Sequence, residues 1–236
     1  MDSRKKAFAR QLGFIVGLVF FLFLFWNSII IYPLKLLVVF FHELSHGLAA
    51  VLTGGEIIRI EIVAMQGGVC YFKGGIPFIT ASAGYLGSLL WGVVIYLTAL
   101  FTRKDKEVCF VLGLIILGIT LLYIRNLFGF FFCLFFAIAL MLSGKYLGEM
   151  FNDLTLRTIG MTSMLYAPLD IYDDVIRRSY LTSSDGAAIA KMFGSIPILG
   201  NTVFWGVFWV LLSFLILGVS LFLGLKVKSE QGRSYF

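Results

Sequence analysis

Two histidines and a glutamate are the residues in this chain best placed to do chemistry. The sequence holds only two histidines, and they sit four apart in Phe41-His42-Glu43-Leu44-Ser45-His46-Gly47. On a helix, residues i and i+4 leave the same face about one turn apart, so both imidazoles can grip one metal ion. Glu43, beside the first histidine, can then take a proton from a water that the ion has acidified and pass it to a leaving amine, which is the chemistry of peptide hydrolysis. Chance placement yields this pattern in about two or three chains in ten thousand with this composition. A plain pair of structural histidines is the simpler explanation. It fares poorly here, because His, Glu and His at membrane depth are costly unless an ion or partner compensates them.

A catalytic zinc usually has three protein ligands and one open position. With no third histidine in the chain, the missing donor must be a carboxylate or a cysteine. Glu149, four residues before Asp153, resembles the glutamate-bearing helix of soluble H-E-x-x-H peptidases. Asp170, which follows Pro168 at the end of an apolar segment, is the rival, and its position favours it. Asp173 and Asp174 stand close behind. Cys70, Cys109 and Cys133 are far apart and form no C-x-x-C pair, so they read as free thiols.

The elements that must carry these residues are membrane helices. The chain is 60 % hydrophobic and 14 % charged, with a mean hydropathy of +0.96, which excludes an ordinary soluble domain. Its 236 residues allow six or seven spans in one membrane-embedded domain, 1–236. The net charge of +6 lies mostly between the apolar runs, where it acts as a topology and headgroup signal. No basic stripe with interleaved aromatics is present, so no nucleic-acid partner is expected. The partners are the lipid bilayer and a transmembrane protein substrate.

In chain order, a basic segment ending at Arg10 precedes an apolar run from Leu12 to Ile31, read as a retained first helix with a cytoplasmic start. Tyr32-Pro33 breaks it, and a second span from Leu34 to Leu52 holds the motif and stops at Thr53-Gly54-Gly55. Then the period changes to two: Ile58, Ile60 and Ile62 alternate with Arg59 and Glu61. With a Gln66-Gly67-Gly68 turn and a return through Val69-Cys70-Tyr71-Phe72, this predicts a short β-hairpin. Beside a protease helix, such a hairpin offers a sheet edge on which substrate can add as a strand.

A third span from Ile76 to Phe101 carries Gly84, Ser88 and Gly92 at four-residue spacing, a smooth stripe for close helix approach, with Tyr85 expected near the site. Two further spans, Val108 to Ile124 and Leu127 to Ser143, hinge at Arg125-Asn126. The charged stretch Gly144 to Arg157 reads as interfacial, and Thr158 to Ile176 as a separate, proline-bent element. Ser183-Ser184-Asp185-Gly186 reads as a helix start. A last span covers Ile198 to Leu225. The expected fold class is thus all-α, polytopic, with about six or seven transmembrane helices and a hairpin after the motif helix.

Several of these stretches together carry a resemblance: the H-E-x-x-H segment with Thr53-Gly54-Gly55, Ser82-Ala83-Gly84-Tyr85-Leu86-Gly87-Ser88, Leu165 through Asp170 with Asp173-Asp174, and Trp205-Gly206-Val207-Phe208-Trp209. In order, they resemble the small B-type branch of the site-2 protease family of intramembrane zinc metallopeptidases. The resemblance implies a catalytic core in the bilayer, zinc (Zn2+) held by two histidines and an aspartate, and cleavage of membrane-embedded or membrane-adjacent segments. Carried over, His42 and His46 are ligands, Glu43 is the general base and Asp170 is the matching aspartate. The chain departs from better-known members in one place, since Leu169-Asp170 is followed by Ile171 rather than glycine. The competing function is a non-catalytic relative that binds or chaperones transmembrane partners.

Overall fold

The structure, a computed structural model, describes residues 3–177 and 184–231. Its elements are α1 (Ser3–Leu24), α2 (Tyr32–Leu52), β1 (Glu56–Val63), β2 (Gly67–Lys73), α3 (Pro77–Phe101), α4 (Asp105–Tyr123), α5 (Leu127–Tyr146), α6 (Glu149–Ile171), a π-helical turn (Tyr172–Arg177), α7 (Asp185–Met192) and α8 (Thr202–Gln231). Hydrocarbon offers no partner to backbone N–H and C=O groups, so a chain this apolar satisfies them within helices. Among the described residues, five helices are long and apolar enough to cross a membrane: α2, α3, α4, α5 and the Thr202–Lys226 part of α8. The apolar part of α1, Phe8–Leu24, is shorter. The chain is an integral, multi-pass membrane protein.

Among the five spans, α2 is enclosed by the others. Protein buries 78 % of its apolar window, against 28 % for α4 and 33 % for α5, so the motif helix is central and α4 and α5 face outward. On one side α2 meets α3, where the Phe41 and Trp91 rings stack at 5.3 Å. Gly87 lies so close to Ser45 that any side chain there would overlap it. The small-residue stripe of α3 serves two neighbours. Gly84 faces α2, whereas a Cβ on Gly92 would stand 2.8 Å from the Gly160 carbonyl of α6, and the Ser163 hydroxyl donates to the Ser88 carbonyl at 2.7 Å.

The segment expected as interfacial, Gly144 to Arg157, is divided instead: its first residues end α5, and from Glu149 it runs unbroken into the element expected after it as one helix, α6. Its charges do not seek water because they neutralise each other one turn apart. The Arg157 Nε donates to Asp153 Oδ1 at 2.7 Å, both side chains are buried, and the guanidinium lies 5.2 Å from the Phe14 ring. Pro168 lies inside α6, which runs on into the π-helical turn.

The hairpin is present, with one change of phase. β1 and β2 pair antiparallel, Ile60 with Cys70 and Ile62 with Gly68, and Gln66 takes the left-handed turn position at φ 60°. A register shift between Ile57 and Arg59 takes Ile58 out of the expected row, so Ile60 and Ile62 are buried while Ile58 is exposed.

Candidate metal centre

The buried face of α2 carries His42 and His46 toward α3 and α7. His46 is fixed by its second ring nitrogen: Nδ1 lies 2.7 Å from the Thr80 carbonyl oxygen at the start of α3. A proton on Nδ1 completes that bond and leaves the Nε2 lone pair for an electrophile, the arrangement by which proteins orient metal-binding imidazoles. Gly84 makes room on the α3 side. A Cβ at that position would overlap the Nε2 atoms of both histidines, so only glycine lets the helix come this near.

The third group is Asp185, the first residue of α7. Ser184 caps that helix, its hydroxyl accepting from the Ala187 N–H at 3.2 Å, and this places the Asp185 carboxylate over the imidazoles. Its Oδ2 is 3.2 Å from His42 Nε2 and 3.2 Å from His46 Nε2. Tetrahedral coordination with metal–donor bonds of zinc length separates neighbouring donors by about 3.3 Å. Oδ2 is buried, and neither ring contact has hydrogen-bond geometry. The three atoms converge on a common point rather than along an N–H···O line. Among the described residues, His42, His46 and Asp185 form the group able to hold a metal ion, with donor atoms within 4.8 Å of one another.

These groups open on a cavity of about 590 Å³ whose wall includes Glu43, Gly67, Gly68, Cys70, Tyr85, Asp170, Asp174 and Asp185. Glu43 is only 7 % exposed and lies against β2. A Cβ on Gly68 would stand 2.9 Å from its Oε1, and the Cys70 main chain lies beside its carboxylate. The Cys70 thiol is pushed up to about 12, mainly by burial and then by the charge of Glu43, which keeps it largely protonated and slow to react.

Sequence and structure part at the third donor. The structure gathers Asp185 with the two histidines, whereas Asp170 lies in the cavity wall outside that donor group. Asp174 also lines the cavity, its Oδ2 3.5 Å from the Tyr85 hydroxyl, and the Tyr85 ring meets the His42 ring edge-on at 5.1 Å. Glu149 opens α6 about 30 Å along the helix from Asp170, so it stands far from the cavity. The helix start read at Ser183 to Gly186 begins at Ser184 in the structure; Ser183 lies outside the described residues. In the sequence that aspartate reads only as part of a helix-start signal, and nothing in its spacing ties it to a histidine pair 139 residues upstream.

A multi-pass membrane chain in which the two histidines of an H-E-x-x-H helix meet a carboxylate from another helix defines a class of membrane metallopeptidase-like proteins. The model of the Peptidase M50B-like family matches residues 15–220, and the chain belongs to that family, in keeping with the site-2 protease resemblance. No characterised protein and no solved structure gives a significant match.

Proposed function

We propose that this protein is an intramembrane zinc endopeptidase that cuts membrane-embedded or membrane-adjacent segments of other proteins. The observation that carries this reading is the convergence of His42 Nε2, His46 Nε2 and Asp185 Oδ2 at the head of a cavity whose wall holds Glu43. Two imidazole nitrogens and one carboxylate oxygen are a donor set of catalytic zinc sites. The spacing of the atoms, the missing hydrogen-bond geometry and the Gly84 cradle all fit such an ion. In this reading Asp185 takes the ligand role that position and resemblance gave to Asp170.

Zinc, when bound, supplies Lewis acidity toward a peptide carbonyl and lowers the pKa of water toward neutrality. The chain supplies the rest. Thr80 holds His46 in its tautomer through the main-chain carbonyl. Glu43 accepts the proton of the attacking water as the C–O bond forms, then delivers it to the nitrogen as the C–N bond breaks. The close approach of Gly68 in β2 keeps that carboxylate aimed while β2 presents its outer edge to the cavity. A substrate in the bilayer needs partners for its own backbone groups, and an extended segment finds them on that edge.

The test is metal content and turnover together. Protein purified in mild detergent without chelator should carry about one zinc per chain, and Glu43→Gln should keep the zinc while losing cleavage of a transmembrane reporter in proteoliposomes. Wild-type protein without zinc, or a Glu43→Gln variant that still cuts, refutes the reading.

A further inference from the structure

The two outer edges of the hairpin are treated differently. That of β2 faces Glu43 and the cavity. That of β1 is covered by the connection between α4 and α5, which behaves as a short third strand. Ile124 bridges Ile60 in parallel, and the Arg125 N–H donates to the Ile60 carbonyl at 3.1 Å. At the next position the side chain of Asn126 replaces a peptide group. Its Oδ1 accepts from the Ile62 N–H at 3.0 Å, and its Nδ2 donates to the Ile62 carbonyl at 2.6 Å. Asn is the shortest side chain that offers both an amide donor and a carbonyl acceptor.

The residues held this way are those paired with the strand against Glu43. Ile62 pairs with Gly68, whose missing side chain leaves room for Glu43, and Ile60 pairs with Cys70, whose main chain lies beside Glu43. Two rungs therefore cross the sheet in register, Asn126–Ile62–Gly68–Glu43 and Arg125–Ile60–Cys70–Glu43. Gly129 completes the seat, because a Cβ there would stand 2.6 Å from Asn126 Oδ1 and 3.1 Å from the Ile62 N.

We infer that Asn126 is a positioning residue for the peptidase reaction: by clamping β1 it holds β2 against Glu43 and leaves β2 as the hairpin edge on which an extended substrate pairs. This rests on the endopeptidase reading, and nothing in it requires Asn126 to touch substrate. Its loss lets the hairpin drift from α2 and leaves the Ile62 backbone groups without partners in an apolar setting.

The experiment compares Asn126→Ala, Asn126→Gln and Gly129→Ala with wild type in proteoliposomes, reading zinc per chain, kcat and KM on a transmembrane reporter, and alkylation of each cysteine by N-ethylmaleimide mapped by mass spectrometry. Cys70 reports the hairpin, while Cys109 and Cys133 are buried elsewhere. For Asn126→Ala, zinc should stay at the wild-type level, kcat/KM should fall about tenfold with KM raised, and Cys70 should be alkylated several times faster with Cys109 and Cys133 unchanged. Gly129→Ala, which crowds the same contact, should reproduce this, and Asn126→Gln, which keeps the amide, should recover part of it. Wild-type KM and wild-type Cys70 reactivity in Asn126→Ala overturn the inference, as does alkylation rising equally at all three cysteines. If the wild type cleaves nothing, the endopeptidase reading fails, and the alkylation pattern still decides the clamp.

Discussion

Among the described residues, two of the buried polar clusters are built in opposite ways. Asp153 and Arg157 lie one turn apart on a single helix, joined by a hydrogen bond of 2.7 Å, so each charge finds its partner within α6. His42, His46 and Asp185 come from α2 and α7, far apart in sequence, and their donor atoms meet at 3.2 Å without hydrogen-bond geometry beside a cavity. The first arrangement neutralises itself and fastens a helix. The second gathers three donor atoms on one point, an arrangement that a bound cation can compensate. Buried charge alone thus does not mark a site; the direction of the donor atoms and the open volume beside them do.

The sharpest break of this comparison lies at the third donor. Asp185→Ala should lose bound zinc and all cleavage, while Asp170→Ala keeps about one zinc per chain. Metal analysis of the two purified variants decides it. Zinc retained in the first and lost in the second would return the ligand role to Asp170 and undo the contrast drawn here.

The self-neutralised cluster should respond in stability rather than metal content. Removing one partner leaves a buried charge exposed to apolar surroundings, so Asp153→Ala should destabilise the protein by about 3–5 kcal/mol. Replacing both, as Asp153→Leu with Arg157→Met, should recover most of that loss. Thermal unfolding in detergent measures each step, and zinc per folded chain should be the same in all three proteins. A change in zinc stoichiometry would mean that the two clusters are coupled.

The same contrast explains what could be read from the chain. The H-E-x-x-H helix, the main spans and the hairpin are local patterns, each written within some twenty residues by spacing, hydropathy or alternation. Asp185 had a sufficient local explanation, since an acidic residue in the first turn after a serine cap suits a helix start, and its second role appears only when α7 is folded onto α2. Asp170 attracted attention as a carboxylate in an apolar segment, and it does reach the cavity wall. The continuity of α6 was hidden because Asp153 and Arg157 look like solvated charges until their pairing is seen. Asn126 read as a hinge, for a side chain acting as a strand rung leaves no sequence period.

The smallest expected effect tests whether β2 aims the general base. A Cβ on Gly68 would stand 2.7 Å from Glu43 Cγ and 2.9 Å from Oε1. The Glu43 side chain can rotate away at little cost, so Gly68→Ala should fold, unfold at nearly the wild-type temperature and bind zinc normally. What it displaces is the carboxylate, and an error of about 1 Å in a catalytic group lowers turnover by up to about 100-fold. The expected result is a kcat reduced about 10- to 100-fold with zinc content intact. Unchanged kcat would mean that Glu43 is held by α2 alone, and the hairpin would then serve substrate binding without touching the chemistry.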